Sequence, residues 1–337
     1  PMKFLSDNTA PASAEVIAAV TAANTGYARA YGDDDWTRQL DDAFGRYFGT
    51  PVRAFPVASG TAANSLALAT LTPPYGAIFA ADEAHVIADE CGACELQSGG
   101  ARLMPVTAPE GRMDPEALAA ALADHPLSVH SVQPAAVTIT QASEYGTVYS
   151  VAQVAALAKI AHGHKLSLHM DGARFVNALA HLEVTPAAIT WQAGVDVLSF
   201  GATKNGALDA EAVVFFDPQR AADFELRRKR AGHLLSKMRY VSAQLLACLS
   251  GEFFLANAQR ANRLAQRIGK AAGPRLLYPV QANEVFLAFQ GDERELLRKR
   301  GFEFYDWGPP VQLSARFVVS WDQPEADVDA LCEALKR

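Results

Sequence analysis

Cysteine is scarce in this chain of 337 residues, and its four cysteines, Cys91, Cys94, Cys248 and Cys332, are too few for a disulfide framework. No apolar run approaches the roughly 18 residues that a membrane-spanning helix needs. The first 28 residues hold a single basic side chain, Lys3, which is a poor start for a signal peptide. These absences predict a cytoplasmic protein with no membrane partner.

An excess of positive charge is also lacking, because 30 Lys and Arg residues stand against 37 Asp and Glu residues, a net charge of −7. This balance gives no sequence-wide attraction to nucleic acid, so we expect no nucleic-acid partner. Half of the residues are apolar and a fifth are charged, which is typical of a globular protein and not of a disordered or fibrous one.

The glycine signatures of nucleotide-binding enzymes are missing, since no G-x-G occurs anywhere in the chain. The segment Gly201-Ala-Thr-Lys-Asn-Gly206 has the glycine spacing of a phosphate loop, but Ala207 and Leu208 stand where Lys and Ser or Thr are required. No G-x-S-x-G occurs either, which excludes the commonest serine hydrolase motif.

What is present is an alternation of short apolar runs and longer helical stretches from residue 52 to residue 216. This pattern indicates crossover units on a mostly parallel sheet, so the predicted fold class is α/β. The predicted strands are 52–57, 77–80, 101–106, 129–137, 166–171, 195–200 and 212–216, and the predicted helices include 114–122 and 151–162.

The second part of the chain has a different pattern. Residues 218–269 show almost no strand signal and predict one or two long connecting helices. Strands at 284–289, 302–305 and 317–321, with two helices, follow. We therefore expect a large domain of residues 1–250 and a small C-terminal α/β domain of residues 251–337, with the N-terminal segment packing on the small domain or on a neighbouring subunit.

Two patterns suggest metal ligands. Cys91-Gly-Ala-Cys94 has the spacing of half a zinc site or of a redox pair, but the other cysteines are far away in sequence, and two small residues on one helix face explain it better. His162, His164 and His169, followed by Asp171, form a second candidate cluster. Their positions at a helix end and along a strand favour structural roles, so we predict no metal. A metal-dependent hydrolase remains an alternative.

Three segments together suggest a different chemistry. His169-Met-Asp171-Gly-Ala-Arg174 places a carboxylate at the end of an apolar strand, and Lys204 follows the next strand. Strand ends of this kind face the ligand crevice in open parallel sheets. Ser59-Gly60-Thr61 joins a strand to a helix, where free N–H groups and hydroxyls bind phosphate. Separately, these features also suit a structural ion pair and a plain helix cap.

Together the three segments fit one cofactor, pyridoxal 5′-phosphate (PLP). Lys204 would bind its aldehyde covalently, and the turn Ser59-Gly60-Thr61 would bind its phosphate. Asp171 would keep the ring nitrogen protonated, because a neighbouring anion favours the cationic form.

The chain resembles the threonine aldolase family of fold-type-I PLP enzymes, particularly its branch of bacterial low-specificity threonine and phenylserine aldolases. The resemblance runs nearly end to end. The segments that support it are Phe4-Leu-Ser6-Asp7-Asn8, Tyr31-Gly-Asp-Asp34, Ser59-Gly-Thr-Ala-Ala-Asn64, Glu83-Ala-His85, the block around Asp171, Ser199-Phe-Gly-Ala-Thr-Lys204-Asn-Gly206, and Arg316 before an apolar strand.

The resemblance implies roles for further residues. His85 corresponds to the imidazole that stacks on the cofactor ring and assists the base step. The substrate carboxylate would be bound by Ser6, Arg174 and Arg316, which suits the planar guanidinium group.

Two more residues correspond to positions that act between subunits. Tyr31 contributes to an active site formed by two chains, and Arg239 reaches the phosphate from the neighbouring chain. We therefore expect a homodimer or a homotetramer.

The residue that acts on the substrate hydroxyl departs from the family pattern. Other branches have a histidine in a His-Asn-Gly pattern, whereas this chain has Gln141-Ala-Ser-Glu144-Tyr-Gly146. Glu144 aligns with that histidine and is a candidate base, although a solvated loop acid is the alternative.

The expected reaction is cleavage of a β-hydroxy-α-amino acid, such as threonine, allo-threonine or phenylserine, to glycine and an aldehyde. A β-eliminating lyase or an aminotransferase on the same fold would use the same lysine and aspartate. A PLP carrier or regulatory binding protein is the non-enzymatic alternative.

Overall fold

A computed structural model describes residues 1–336. The strands are β1 (Met2–Lys3), β2 (Arg53–Val57), β3 (Gly76–Ala81), β4 (Arg102–Val106), β5 (Gln133–Thr140), β6 (Ser167–Gly172), β7 (Val197–Gly201), β8 (Glu211–Phe215), β9 (Glu284–Ala288), β10 (Phe302–Glu303), β11 (Tyr305–Trp307) and β12 (Ser314–Val318). The helices are α1 (Ala14–Ala23), α2 (Asp35–Arg38), α3 (Leu40–Phe48), α4 (Gly60–Leu71), α5 (His85–Ala88), α6 (Ala93–Ser98), α7 (Pro115–Asp124), α8 (Val151–Gly163), α9 (Phe175–Leu182), α10 (Phe224–Arg230), α11 (Arg239–Ser250), α12 (Phe253–Ala272), α13 (Glu293–Lys299) and α14 (Glu325–Leu335).

The largest sheet has seven strands in the order β2-β8-β7-β6-β5-β3-β4. Its strand pairs are parallel except for those made by β8, which is antiparallel to both β2 and β7. The predicted α/β class with a mostly parallel central sheet is confirmed. This topology places the carboxyl ends of β5, β6 and β7 at one edge, where open sheets of this kind bind ligands.

Helices cover both faces of this sheet, so its central strands are buried throughout. Neighbouring residues of a strand point to opposite faces, and β7 shows the consequence. Val197 packs in the apolar cluster formed with α4 and α10, whereas Leu198 packs in the cluster formed with α8 and α9. This two-sided burial explains why the strands are continuous apolar runs.

A second apolar core lies in the C-terminal part of the chain. Three antiparallel strands in the order β11-β12-β9 pack on α12 and α14. Phe4 belongs to this core, and β1 pairs in parallel with β10, so the N-terminal segment packs against the C-terminal part. Helix α12 contributes to both cores, because Phe254 and Ala258 belong to the larger cluster and residues from Ala261 onward to the smaller one.

Four predicted elements differ from the structure. The strand predicted at 302–305 is divided into β10, which pairs with β1, and β11, which pairs with β12. The strand predicted at 129–137 begins only at Gln133, because residues 128–131 form a turn closed by the Ser131 N–H and the Ser128 carbonyl. The strand predicted at 317–321 is Ser314–Val318, and residues 320–323 turn after it. The region predicted as one or two helices contains α10, α11 and α12, with Gly232 at a φ of 79° after the first.

No single helix within residues 1–336 is long and apolar enough to cross a membrane. Helix α11 and the segment Phe253–Arg275 satisfy the length and composition together, but they are bent by 73° at their junction.

Phe200 links the strand before Lys204 to three helices, and its substitution tests the packing around the site. The ring is fully buried, with its centroid 5.2 Å from that of Phe44, 6.1 Å from Phe175 and 5.9 Å from Phe254. We predict that Phe200→Ala lowers the free energy of unfolding by about 3–5 kcal/mol, measured by urea denaturation. Leu226→Ala, at a residue that is 74% exposed, is the control and should cost about 0.5 kcal/mol or less. Equal losses would contradict this prediction.

Candidate active site

A cavity of about 480 Å³ lies at the carboxyl edge of the large sheet. Ten of the twelve residues predicted for the site line it: Ser6, Ser59, Gly60, Thr61, His85, Glu144, Asp171, Arg174, Lys204 and Arg316. Tyr31 and Arg239 do not line it. The cavity is large enough for a cofactor together with a small substrate.

The segments with Asp171 and Lys204 approach each other closely because two glycines allow it. A Cβ atom at Gly172 would lie 2.6 Å from the Ser199 carbonyl oxygen, and one at Gly201 would lie 2.7 Å from the backbone of Ala173. Any side chain at these positions would force the two strand ends apart. The register pairs Asp171 with Ser199, so the turn that contains Lys204 begins beside the Asp171 strand end.

Both carboxylate oxygens of Asp171 accept hydrogen bonds that aim the group into the cavity. Oδ2 accepts from Asn64 Nδ2 at 2.9 Å, and Oδ1 accepts from the backbone N–H of Ala173 at 3.0 Å. Asn64 belongs to a motif that supported the resemblance, but its role was not predicted, because a helix residue and a strand residue 107 positions apart give no sequence signal of contact.

The N-terminus of α4 faces the same cavity. Ser59 is the N-cap, and its hydroxyl accepts from the Ala62 N–H at 3.2 Å. The first N–H groups of a helix, here those of Gly60 and Thr61, have no acceptor within the helix. Together with the helix dipole they form an anion site of the kind that binds phosphate.

Glu211 is a buried acid in the cavity wall that the sequence did not reveal. Its strand pairs with both β2 and β7, opposite Val57 and Gly201, so it stands between the two strands that lead to the phosphate turn and to Lys204. Its Oε2 accepts from the Ala202 N–H at 2.9 Å. Burial raises the pKa of Glu211 to about 8, against the opposing effect of Lys204.

Arg174 is almost fully paired with carboxylates of its own chain. Its Nε and Nη2 donate to Asp7 at 2.8 and 3.0 Å, and Nη1 lies 3.0 Å from Glu284 Oε1. Asn283 also donates to Asp7, at 3.0 Å. Burial acts to raise the pKa of Asp7, but the Arg174 guanidinium outweighs it and lowers that pKa. Arg174 thus fixes the N-terminal segment against β9.

Arg316 is the less engaged of the two predicted carboxylate ligands. Its Nη1 lies 3.7 Å from Glu284 Oε2, and its guanidinium lies over the rings of Trp307 and Tyr305, 5.6 and 5.8 Å from their centroids. Its buried Nε has no hydrogen-bond partner in the described part of the chain. Trp307, which also lines the cavity, was not predicted. Arg316 therefore has the greater capacity to bind a substrate carboxylate.

His85 and Glu144 face the cavity with shifted pKa values. The hydrogen bond to Glu90 raises the pKa of His85, and its Nδ1 lies 2.7 Å from Glu90 Oε1. Burial, reinforced by Asp171, raises the pKa of Glu144 to about 7. A carboxyl group with this pKa exchanges protons readily near neutral pH.

Tyr31 and Arg239 lie on the surface of their own chain. Tyr31 has a φ of 59° and is half exposed, with the Lys229 ammonium 4.7 Å from its ring centroid. Arg239 donates to the carbonyls of Thr25 and Gly26 at 3.0 and 3.2 Å. A role for these two residues requires a neighbouring chain.

The histidines considered as metal ligands are separated from one another. His162 pairs with Asp196 at 2.9 Å, and His164 is the residue that follows α8. His169 is fully buried between the hydroxyls of Thr138 and Ser199, at 2.8 Å from each, and burial lowers its pKa to about 4. Within residues 1–336 no three His, Cys, Asp or Glu side chains are grouped to hold a metal ion.

The cavity fits PLP on three structural features. An unpaired helix N-terminus suits the phosphate, a carboxylate oriented by two hydrogen-bond donors suits the ring nitrogen, and a lysine amine suits the aldehyde. All three face one cavity, at the sheet edge common to this kind of fold. The fold and this site define a fold-type-I PLP-dependent enzyme, and solved enzymes of that class share the fold.

Comparison with known proteins gives the family. The model of the beta-eliminating lyase family matches residues 3–291. A low specificity L-threonine aldolase from Pseudomonas sp. (strain NCIMB 10558) is 42% identical over 338 aligned positions, covering 99% of this chain and 97% of that protein. One from Pseudomonas aeruginosa is 43% identical, covering 95% and 93%. The chain therefore belongs to the threonine aldolase branch of the beta-eliminating lyase family.

A solved structure agrees in fold. The threonine aldolase of Leishmania major superposes with a TM-score of 0.93 at 24% identity, covering 100% of this chain and 99% of that one. The resemblance inferred from the sequence is confirmed, and the chain is a PLP-dependent carbon–carbon lyase.

The buried ion pair between Asp7 and Arg174 provides a test of the site's framework. We predict that Asp7→Asn lowers the free energy of unfolding by about 3–5 kcal/mol, because it leaves buried positive charge uncompensated. Urea denaturation measures the loss. Asp33→Asn, at a side chain that is 52% exposed and pairs with Arg29 and Arg38, is the matched control and should leave the denaturation midpoint nearly unchanged. An equal loss in both variants would show that Asp7 does not anchor the N-terminal segment.

Proposed function

We propose that this protein cleaves β-hydroxy-α-amino acids, such as threonine, allo-threonine or phenylserine, to glycine and an aldehyde. The observation that supports this function best is the grouping of Lys204, Asp171 and the partly protonated Glu144 in one cavity. The relatives at 42–43% identity bear the name of the same activity.

Bound PLP supplies an aldehyde that takes an amine covalently and a protonated pyridine ring that accepts the electron pair of the broken Cα–Cβ bond. Lys204 would provide the amine that holds the cofactor covalently. Asp171, oriented by the hydrogen bonds from Asn64 and the Ala173 N–H, would pair with the ring nitrogen and favour its charged form.

The substrate carboxylate binds at the Arg316 end of the cavity. A guanidinium group offers two parallel N–H groups to a carboxylate, and Arg316 has no close hydrogen-bonded carboxylate of its own. Ser6 lies in the same wall and adds a hydroxyl. Arg174 contributes positive charge, but its hydrogen bonds already hold Asp7 in place.

The β-hydroxyl is deprotonated by Glu144. Removal of that proton lets the oxygen form a carbonyl as the Cα–Cβ bond breaks, which releases the aldehyde. The pKa of about 7 leaves much of Glu144 ionised at neutral pH and still makes its carboxylate a stronger base than an ordinary glutamate.

We also propose that the protein is a cytoplasmic homodimer or homotetramer. Tyr31 and Arg239 lie outside the cavity of their own chain; Tyr31 is exposed and Arg239 is partly exposed, so a neighbouring chain could reach them. In such an assembly Tyr31 would complete the substrate site and Arg239 the phosphate site of the neighbour.

Product analysis with Lys204→Ala tests the function. The purified holoenzyme is incubated with threonine or phenylserine, and glycine, aldehyde, ammonia and keto acid are measured. We expect glycine and aldehyde in equal amounts from the native protein and only background amounts from the variant, because the variant lacks the amine that binds the cofactor. Lys270→Ala, at an exposed residue in the last turn of α12, is the control and should retain full activity.

Each alternative has its own outcome in this experiment. Ammonia with a keto acid would indicate β-elimination, and a requirement for a second keto acid would indicate transamination. Binding of PLP without turnover would indicate a carrier protein. Inactivation by a chelator in a colourless protein would indicate the metal-dependent hydrolase.

The role of Glu144 predicts a pH dependence. Its pKa is raised to about 7, so the ionised base is lost as the pH falls below that value, and kcat should fall with it. We expect Glu144→Gln to reduce kcat about 10²–10⁴-fold and to remove this acidic limb. Steady-state aldehyde release between pH 5 and 9 measures both effects. Glu83→Gln, at an exposed residue two positions before His85, should keep the native profile. An unchanged acidic limb in Glu144→Gln would assign the base to another group.

A further inference from the structure

A continuous chain of hydrogen-bonded side chains connects His85 to Asp171 beneath the cavity. The Nδ1 of His85 lies 2.7 Å from Oε1 of Glu90. The same Oε1 accepts from Nδ2 of Asn64 at 2.9 Å, and that nitrogen also donates to Oδ2 of Asp171 at 2.9 Å. The two hydrogens of one amide group thus bind two carboxylates.

Burial of the Glu90 carboxyl group carries a free-energy cost. Its side chain has no solvent exposure, and its second oxygen has no hydrogen-bond partner in the described part of the chain. Burial of a carboxylate costs free energy unless a cation compensates it. The nearest group able to supply that charge is His85, whose side chain is 36% exposed towards the cavity.

A neutral glutamine would satisfy the same donors at less cost, so the carboxyl group of Glu90 requires an explanation. Burial raises the pKa of Glu90, and the hydrogen bond with His85 opposes this. Asp171 adds to the rise in this pKa, and the hydrogen bond from Asn64 opposes it. A carboxylate that accepts from Nδ1 fixes the proton of the imidazole on that nitrogen. The other ring nitrogen, Nε2, is then the atom that gains or loses a proton on the cavity side. Asn64 donates to both Glu90 and Asp171 and so holds Glu90 in position beside Asp171.

We propose that Glu90 is a positioning residue for His85: it fixes the proton on Nδ1, presents Nε2 to the bound substrate and favours the charged imidazole. The proposal rests on the proposed function, since it assigns His85 to the reacting site. Glu90 touches neither substrate nor cofactor in this scheme and acts through His85.

The charged groups that face His85 all raise the pKa of its imidazole. Glu90 is its hydrogen-bond partner, while Asp171 from β6 and Glu144 from the loop after β5 are the other carboxylates that favour the imidazolium. Burial opposes them. Because Glu144 is influenced by His85 in turn, a proton gained by one group makes the other more acidic. The pair therefore presents a donor and an acceptor near neutral pH.

Histidine NMR of the holoenzyme tests the proposal without reference to turnover. The eight histidines are labelled with ¹⁵N and ¹³C, and the His85 signals are assigned by their loss in His85→Asn. We expect the neutral form of His85 in the native protein to be the Nδ1–H tautomer. In Glu90→Gln, the pH of half-titration should fall by about one unit or more, because the anion beside the ring is removed. Glu83→Gln is the matched control and should leave the titration unchanged.

The kinetic readout uses the same variants. Loss of the His85 proton should produce the basic limb of the kcat profile, because the proposal makes charged His85 the donor. We expect this limb to move to lower pH in Glu90→Gln by the amount that NMR measures, with KM changed less than kcat. An Nε2–H tautomer in the native protein, which would indicate that Glu90 donates to the ring, overturns the proposal even if Glu90→Gln does not fold. An unchanged titration in a folded Glu90→Gln also overturns it. Failure of the proposed function would appear as absent aldehyde in the native protein and would leave the NMR result unaffected.

Discussion

The close approach of two strand ends is the constraint on which the site depends. Glycine at positions 172 and 201 lets the segment after β6 lie against the end of β7 with no side chain between them. Asp171 precedes the first glycine and Lys204 follows the second, so one backbone contact sets the relation between the two groups that would hold a cofactor. The apolar clusters on both faces of the sheet, which contain Val197 and Leu198, then fix β7 in place.

Some of the buried charged groups around this contact have a hydrogen-bonded partner that compensates their charge, and others do not. Asp7 and Glu284 neutralise Arg174, and Asn64 binds Asp171 and Glu90 together. Within residues 1–336, Glu144 and Glu211 have no cation at hydrogen-bond distance, and burial raises the pKa values of both, to about 7 and about 8. The site thus contains fixed charges that position ligands and acids that exchange protons, and the difference lies in which carboxylates have a cationic or amide partner.

The sequence predicted the fold class and most of the cavity, because strand ends of a parallel sheet meet at one edge. It placed Asp171 and Lys204 correctly at that edge, and motif resemblance added His85, Glu144 and Arg316. It did not reveal Glu90, Asn64 or Glu211 as parts of the site, since their contacts depend on side-chain packing between elements far apart in sequence. The predicted bounds of the strands at 129–137 and 317–321 are wrong for a local reason, because turns there interrupt apolar runs that resemble strands.

Arg174, for which the resemblance implies binding of a carboxylate, also has a structural role through its contacts with Asp7 and Glu284. A guanidinium group has three nitrogens with five N–H donors. In Arg174 all three nitrogens already contact a carboxylate oxygen of Asp7 or Glu284. Arg174 lines the cavity, but the energetic cost of moving it is high, because buried Asp7 would lose its cation and Glu284 its closer one. Arg316 lies over Trp307 and 3.7 Å from Glu284, a longer separation than those of Arg174, so it is freer to reorient. In the proposed function the rigid Arg174 would define the shape of the carboxylate end, and Arg316 would supply most of its affinity.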